Sequence, residues 1–393
     1  MVETKRDVVV GIPTKNEEAT ILHVMDSVAL GLMEFFYDYD CAVVVVDGGS
    51  TDRTLELAKS FRIPRTIVKK VISDGNIKGK GDAIRVILEQ AKEMDADMVA
   101  ILDSDLMSIK PFWVDRLLRP IVFGEADYIF PRYIRDKHDG GITKLVTYPL
   151  ITTLFGKEVR QPMGGEIGLS NELVEKCLEN PLFPSDFGID TFITMVALAN
   201  NFRIDRALLG VKLHESTLKY AIPKKHLLPM FYQVVRSLFE LMEHYERVWR
   251  PRSVLIRAPR MHKRLVRYKG ILPFPVKIDL NEFWKEVENL NTRFDELRKI
   301  IGDEHTEKVI ELVKRKQEGL DKYTWAEIVY MFAAAYKKKK DKRLIELLGW
   351  LWLLRYIEWI HETEGLSLAR AEDKCFEQLL AFMVKRDLLL EIY

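Results

Sequence analysis

Four apolar runs in the amino-terminal part of the chain, each followed by a polar loop, predict buried strands at 8–12, 42–46 (AVVVV), 67–72 and 98–102. Between them the spacing changes to that of helices. In NEEATILHVMDSVAL, Ile21, Val24, Met25 and Val28 fall at i, i+3, i+4 and i+7, one face of a helix. Leu55 and Leu57 open a second helical stretch, and 81–94 reads as a third. Continuous apolar strands alternating with helices predict an α/β fold with a mostly parallel sheet covered on both faces. No period repeats, which excludes a solenoid. Beyond about residue 222 helical periodicity takes over, most clearly in RLIELLGWLWLLRYIEWI and FEQLLAFMVKRDLLLEI. The expected organisation is a catalytic α/β domain at 1–222 and a mainly helical C-terminal region at 223–393. Residues 250–277 hold four of the prolines and read as an irregular connector.

Composition narrows the class. The 393 residues suffice for two domains, with 48% hydrophobic and 30% charged residues, as in an ordinary globular protein. A net charge of +1 supplies no bulk field for nucleic acid or an anionic membrane. Cys41, Cys177 and Cys375 form neither a zinc spacing nor a disulfide framework, which suits a reducing cytoplasm. The start, MVETKRDVVVGIPT, has no signal-peptide core. The most apolar stretch, 347–354, is shorter than the ~20 residues that a membrane span needs. Abundant Lys, Arg and Glu beside scarce Gln lean towards a thermophile. The expected setting is cytoplasmic, with no nucleic-acid partner, no spanning membrane segment and a homo-oligomeric assembly. The basic run KKKKDKR, 337–343, reads as a solvated helix end or loop.

Ligands of open parallel sheets bind beyond the carboxyl ends of the strands, so the polar loops there are where chemistry is sought. They read PTKNEE, DGGSTD, SDGNIKGKGD and DSD. On an extended segment Asp103 and Asp105 point to one side and can serve one divalent cation, or a cation and a ribose; turn and cap chemistry would explain the same pair without a ligand. GNIKGKGD lacks the Walker A spacing, but its glycines, Lys78 and Lys80 precede a helix, a setting that suits a diphosphate. Asp47 ends its strand. QPMGGE allows close backbone approach to a ligand, and FPSDFGID carries two acids, Asp186 and Asp190, where a helix cap needs one.

In this order the loops resemble the GT-A fold of nucleotide-sugar glycosyltransferases. With GKGDA, DSDLMSIKPFW, QPMGGEIGLS, SDFGIDTF and KLHES, residues 7 to about 220 are similar to the mannosylglycerate synthases and the glucosyl-3-phosphoglycerate synthases. The C-terminal region resembles the mannosylglycerate synthase extension only loosely. The resemblance implies a retaining, metal-dependent hexosyltransferase. The donor would be GDP-mannose, or UDP-, GDP- or ADP-glucose, the acceptor D-glycerate or a similar small hydroxy acid, and the product a compatible solute. It assigns Mg²⁺ or Mn²⁺ to Asp105 and His214, and sets Asp103 nearer the ribose. Pro13, Thr14 and Glu17 match the nucleoside loop, with Asp47 a further donor-site candidate. Lys80 matches the diphosphate contact; Gly164, Gly165 and Glu166 match the turn under the donor sugar. Asp190 matches an acid close to sugar and acceptor, and Asp190 and Glu166 are the catalytic candidates. Arg132 and Thr143 match residues that hold glycerate.

The acceptor is where the resemblance discriminates. Glucosyl-3-phosphoglycerate synthases carry Arg before the matching Thr and Arg-Asn after the His; here those positions are Ile142, Glu215 and Ser216. Mannosylglycerate synthases also carry Arg after the His, so Glu215 departs from both. A rival phosphate site is Arg135, Lys137 and Lys144. The same loops would also serve an inverting GT-A enzyme acting on a polyprenyl phosphate or polysaccharide, with Asp190 as base, or a nucleotide-binding protein without catalysis.

Overall fold

The computed structural model describes residues 5–215, 222–252 and 272–393. The chain divides into two compact units, one of Met1–Ile134 with Gln161–Ser216, the other of Arg135–Arg160 with Thr217–Tyr393.

The first unit is built on one sheet of β1 (Val8–Thr14), β2 (Cys41–Asp47), β3 (Ile67–Ser73), β4 (Met98–Ile101), β5 (Tyr128–Ile134), β6 (Ile167–Ser170) and β7 (Ile204–Val211). Their order is β3-β2-β1-β4-β6-β5-β7. The four expected strands are β1 to β4, and they pair in parallel. The helices of this unit are α1 (Ile21–Phe35), α2 (Thr54–Ser60), α3 (Lys80–Glu93), α4 (Phe112–Val122), α5 (Asn171–Leu178) and α6 (Ile189–Ala199). β1 and β2 are buried along their whole length, as runs of valine covered on both sides must be. Val8, Val10 and Ile12 share one apolar cluster with Val24 and Val28 of α1 and Trp113 of α4. On the other face Gly11 lets α3 approach, because a Cβ there would collide with Ile87.

One strand runs against the rest. β6 is antiparallel to both β4 and β5, so its amino end lies beside the carboxyl end of β4, with Ile167 opposite Ile101. The loop containing Gly164–Glu166 is thereby delivered to the edge where DSD begins. β7 pairs in parallel with β5 and brings the residues after Val211 to the same edge. Three segments distant in sequence therefore converge at the carboxyl edge of the sheet.

The second unit is helical: among the described residues Tyr148–Phe155, Leu228–His244, Leu280–Val287, Phe294–Arg315, Lys322–Lys339, Lys342–Thr363, Leu368–Val384 and Arg386–Ile392 are its α-helices of seven or more residues. Asp321, Asp341 and Ser367 cap three of them through their side chains. Residues 135–160, read from the sequence as part of the first domain, group with this unit, and the contacts say why. Trp325 Nε1 donates to Leu145 O at 2.8 Å, and Lys137 Nζ to Thr363 O at 2.9 Å. Arg160 holds Glu372 through two bonds of 2.7 and 2.8 Å. The basic run is partly neutralised: Lys337 pairs with Glu246, Lys340 with Glu243 and Arg343 with Asp341. Most of the 250–277 connector lies outside the described residues. No described helix is long and apolar enough to cross a membrane.

Candidate active site

β4 ends at Ile101, and Leu102 N–H donates to Gly11 O. The chain then turns at Ser104 and Asp105 rather than running on extended. Met107 N–H donates to Leu213 O, Glu215 N–H to Asp105 O, and Leu106 bridges His214. Ser108 Oγ accepts from Leu213 N–H. This pairing sets His214 Nδ1 3.3 Å from Asp105 Oδ2, with both side chains largely buried. A carboxylate and an imidazole at this separation are a donor set that suits Mg²⁺ or Mn²⁺ once phosphate oxygens complete the shell. No group of three or more His, Cys, Asp or Glu side chains that could hold a metal ion occurs among the described residues.

Asp103 belongs to a different arrangement. Its Oδ1 lies 2.9 Å from Lys80 Nζ, which also bonds Asp190 Oδ2 at 3.0 Å. Its Oδ2 lies 3.6 Å from Lys212 Nζ, which bonds Glu166 Oε1 at 2.6 Å. Asp190, Lys80, Asp103, Lys212 and Glu166 thus form one chain of alternating charge. Burial acts against Lys80, but Asp103 and Asp190 hold it protonated well above its ordinary value. Burial likewise opposes Lys212, yet Glu166, Tyr133 and Asp103 keep it charged. Burial raises Asp103 too, and there the two lysines win and hold it below the usual carboxylate range. At Asp190 burial wins over Lys80 and, with Asp103 adding, pushes the carboxyl up to about 6. Its Oδ1 is buried without a hydrogen-bond partner.

Lys212 opens the KLHES motif, in which the resemblance assigns a role only to His214. A signal for it is present in the sequence: two positions before His214 on a strand end it shares a side with that residue, and a lysine closing an otherwise apolar run has to go somewhere. Tyr133, whose ring lies 5.1 Å from the Lys212 ammonium, is a second omission. Glu166, read as catalytic, is fully buried and bound to Lys212.

The glycines carry packing roles. A Cβ on Gly165 would strike the Asp103 carboxylate, and one on Gly164 would strike Pro131. The GKG loop departs from expectation. Gly79 and Gly81 sit against the carbonyls of Ser185 and Pro184, and Asp82 N–H donates to Ser185 O at 3.1 Å. The start of α3 is therefore packed by the 184–186 loop, and only the Lys80 side chain reaches the charge chain.

The loops after β1 and β2 interlock. Asn16 N–H donates to Ser50 Oγ, Glu17 N–H to Thr54 Oγ1, and Glu18 N–H to Asp52 Oδ2. Asp47 accepts from Gly49 N–H at 3.1 Å and Ser73 Oγ at 3.2 Å, and Ser50 donates to it as well. It shapes this loop beside the buried Pro13 and Thr14 at the end of β1. Thr20 Oγ1 donates to Ser104 O at 2.7 Å, tying the loop to DSD.

Of the acceptor candidates, Arg132 is buried on β5 where the β5–β7 register shifts, in the first unit. Thr143 belongs to the second unit, at the start of the π-helical turn Thr143–Thr147. The rival cations are engaged within their own unit. Arg135 pairs with Asp139 through two bonds of 2.7 Å. Lys137 caps carbonyls of Thr363 and Leu366, and Lys144 donates to the carbonyls of Asp136, Lys137 and Asp139. Ser216 lies outside the described residues.

Comparison with known proteins gives a consistent picture. Residues 9–169 match the model of glycosyl transferase family 2. The chain is 30% identical over 253 residues to glucosyl-3-phosphoglycerate synthase of Mycobacterium tuberculosis, covering 59% of this chain and 72% of that protein. The Mycolicibacterium smegmatis enzyme of the same name is 27% identical over 253 residues, 59% of this chain and 77% of that one. A crystal structure of the M. tuberculosis enzyme with phosphoglyceric acid matches with a TM-score of 0.50 at 29% identity, over 60% of this chain and 80% of that one.

Proposed function

This chain belongs to the GT-A glycosyltransferase family that includes the glucosyl-3-phosphoglycerate synthases, and we propose that it moves a hexose from a nucleotide sugar to D-glycerate with retention of configuration. The observation that supports this best is the meeting of Asp105 and His214, 3.3 Å apart, beside the charge chain through Lys80, Asp103 and Lys212. Two protein donors and two buried ammonium groups are what a departing diphosphate requires: charge to neutralise it, supplied where water is scarce.

Asp105 and His214 hold Mg²⁺ or Mn²⁺, which when bound adds positive charge against the diphosphate. Lys80 turns its ammonium to the same group, and Asp103 takes the ribose side. Pro13, Thr14 and Glu17 receive the nucleoside, with Asp47 ordering the loop around it. Gly164 and Gly165 let the backbone pass under the sugar. Asp190, with its buried and unsatisfied Oδ1, accepts a hydrogen bond from a ligand hydroxyl and orients it. Arg132 pairs with the acceptor carboxylate by a charge-assisted bond. The role of Thr143 towards the acceptor rests on the resemblance alone. The catalytic domain is proposed to lie within 1–222. The three buried cysteines, none of them in a disulfide, suit a cytoplasmic enzyme.

Glycerate is preferred over 3-phosphoglycerate because Arg135, Lys137 and Lys144 are engaged internally, while Ile142 and Glu215 offer no positive charge. The name of the relatives favours the second reading, transfer of glucose to 3-phosphoglycerate. Thermal unfolding with GDP-, UDP- and ADP-sugars, each with and without Mn²⁺, tests site, metal and base together. Metal-dependent stabilisation by at least one donor is expected; no stabilisation by any of them sinks the proposal.

A further inference from the structure

Glu166 is fully buried, with Oε1 bound to Lys212 at 2.6 Å and Oε2 without a hydrogen-bond partner, and a stability role explains it poorly. Replacing a buried ion pair by apolar residues is often neutral or favourable. The geometry offers another reason. A lysine ammonium is a compact charge on a flexible stem, and that of Lys212 has two carboxylates in range. It makes a short bond to Glu166 Oε1, 2.6 Å, and stops 3.6 Å from Asp103 Oδ2. The second distance is too long for a hydrogen bond. Lys212 is also steadied by the Tyr133 ring, 5.1 Å from its ammonium, and Gly165 presses against the same Asp103 carboxylate. Asp103 is thus attracted to Lys212 but not sealed by it.

We propose that Glu166 is a positioning residue that acts through Lys212, holding its ammonium off Asp103 so that Asp103 Oδ2 stays open to the nucleotide. This rests on the transferase reading above, in which Asp103 faces the donor. Removing the charge of Glu166 frees the ammonium to close onto Asp103, and the donor then competes with an internal bond.

The test is calorimetric binding of UDP and GDP in the presence of Mn²⁺, with circular dichroism to confirm folding, on wild type, Glu166→Gln, Lys212→Met and the double variant. Glu166→Gln is expected to weaken nucleotide binding about tenfold, the size of one charged hydrogen bond. The double variant should bind more tightly than Glu166→Gln alone, since without the ammonium nothing seals Asp103. A double variant as weak as Glu166→Gln, or weaker, overturns the proposal, because Glu166 then does not act by restraining Lys212. If Glu166→Gln does not fold, Glu166→Met, which also removes the charge and keeps a similar length, replaces it in the same cycle with the same two outcomes. Wild-type protein that binds neither nucleotide overturns the transferase reading itself; tight wild-type binding with no recovery in the double variant overturns only this inference.

Discussion

Asp105 and His214 lie 109 positions apart in the chain, yet Oδ2 and Nδ1 stand 3.3 Å apart. The bridge between Leu106 and His214 and the bond from Glu215 N–H to Asp105 O bring the two segments together through the backbone. A variant at either side chain should therefore leave the local fold in place.

Asp105→Ala and His214→Ala should each abolish the Mn²⁺ dependence of nucleotide binding while leaving the circular dichroism spectrum unchanged. Ligand that binds only the folded state adds RT ln(1 + [L]/Kd), ~2.7 kcal/mol at a hundredfold excess over Kd. Thermal unfolding with UDP or GDP and a metal titration reads this gain directly. A variant that keeps the metal-dependent gain of wild type contradicts the assignment of these two residues.

Asp190 should have opposite effects on activity and stability. Its carboxyl ionises near 6 in the folded protein, raised chiefly by burial, against about 3.9 for an exposed Asp. The folded state therefore holds more protons between roughly pH 4 and 6, and this group's contribution to stability falls as pH rises through that window. The penalty is complete above pH ~6. Turnover should move the other way, with an acid limb near pH 6 as the carboxylate forms. Asp190→Asn should lower kcat by about a hundredfold or more without lowering Tm, and should remove that limb. A pH–rate profile unchanged in the variant excludes Asp190 from the reaction.

Gly165→Ala should displace Asp103, because the added Cβ lies on its carboxylate. A misplacement of this kind costs on the order of a hundredfold in turnover. The loss should appear in nucleotide affinity and kcat/KM for the donor, with Tm little changed. A large fall in Tm with unaltered donor kinetics in the surviving protein would mean that the glycine serves packing alone.

Lys144→Met should destabilise the helical unit. The carbonyls of Asp136, Lys137 and Asp139 lose their common donor, and buried acceptors left unpaired cost about 1–3 kcal/mol each. Urea unfolding should show a loss of about 2–4 kcal/mol. A change within error would show that the 135–144 loop is held by its other contacts.

The sequence is most legible where a strand ends. The valine runs of β1 and β2 and the polar loops after them lead to Asp47, Asp103 and Asp105 because a buried parallel strand has to stop in polar chemistry at its carboxyl end. β6 is harder: IGLS is four residues long, and its reversed direction is set by pairing with β4 and β5, which no local pattern carries. Its direction is what brings Gly165 and Glu166 to Asp103, so the resemblance names these residues but does not say that Glu166 is bound to Lys212. GKGD misleads for a related reason. Glycines before a helix can serve an anion or a neighbouring backbone, and only the position of the 184–186 loop decides between them. Lys212 escapes because a single lysine ordinarily reads as a solvated charge, and its burial depends on β5 and β7 pairing over Tyr133. Residues 135–160 fall to the second unit because their partners, Trp325, Thr363 and Glu372, lie far along the chain.

Product analysis tests the central claim most directly. The protein is incubated with Mn²⁺, a nucleotide hexose that stabilises it, and equal amounts of D-glycerate and 3-phosphoglycerate. The ratio of products, which reads the ratio of kcat/KM values, and the anomeric configuration are then measured. The account predicts hexosylglycerate as the main product, with the donor's anomeric configuration retained. A main product carrying the phosphate would contradict the acceptor assignment, and free hexose or unreacted donor alone would contradict transfer to a small acid altogether.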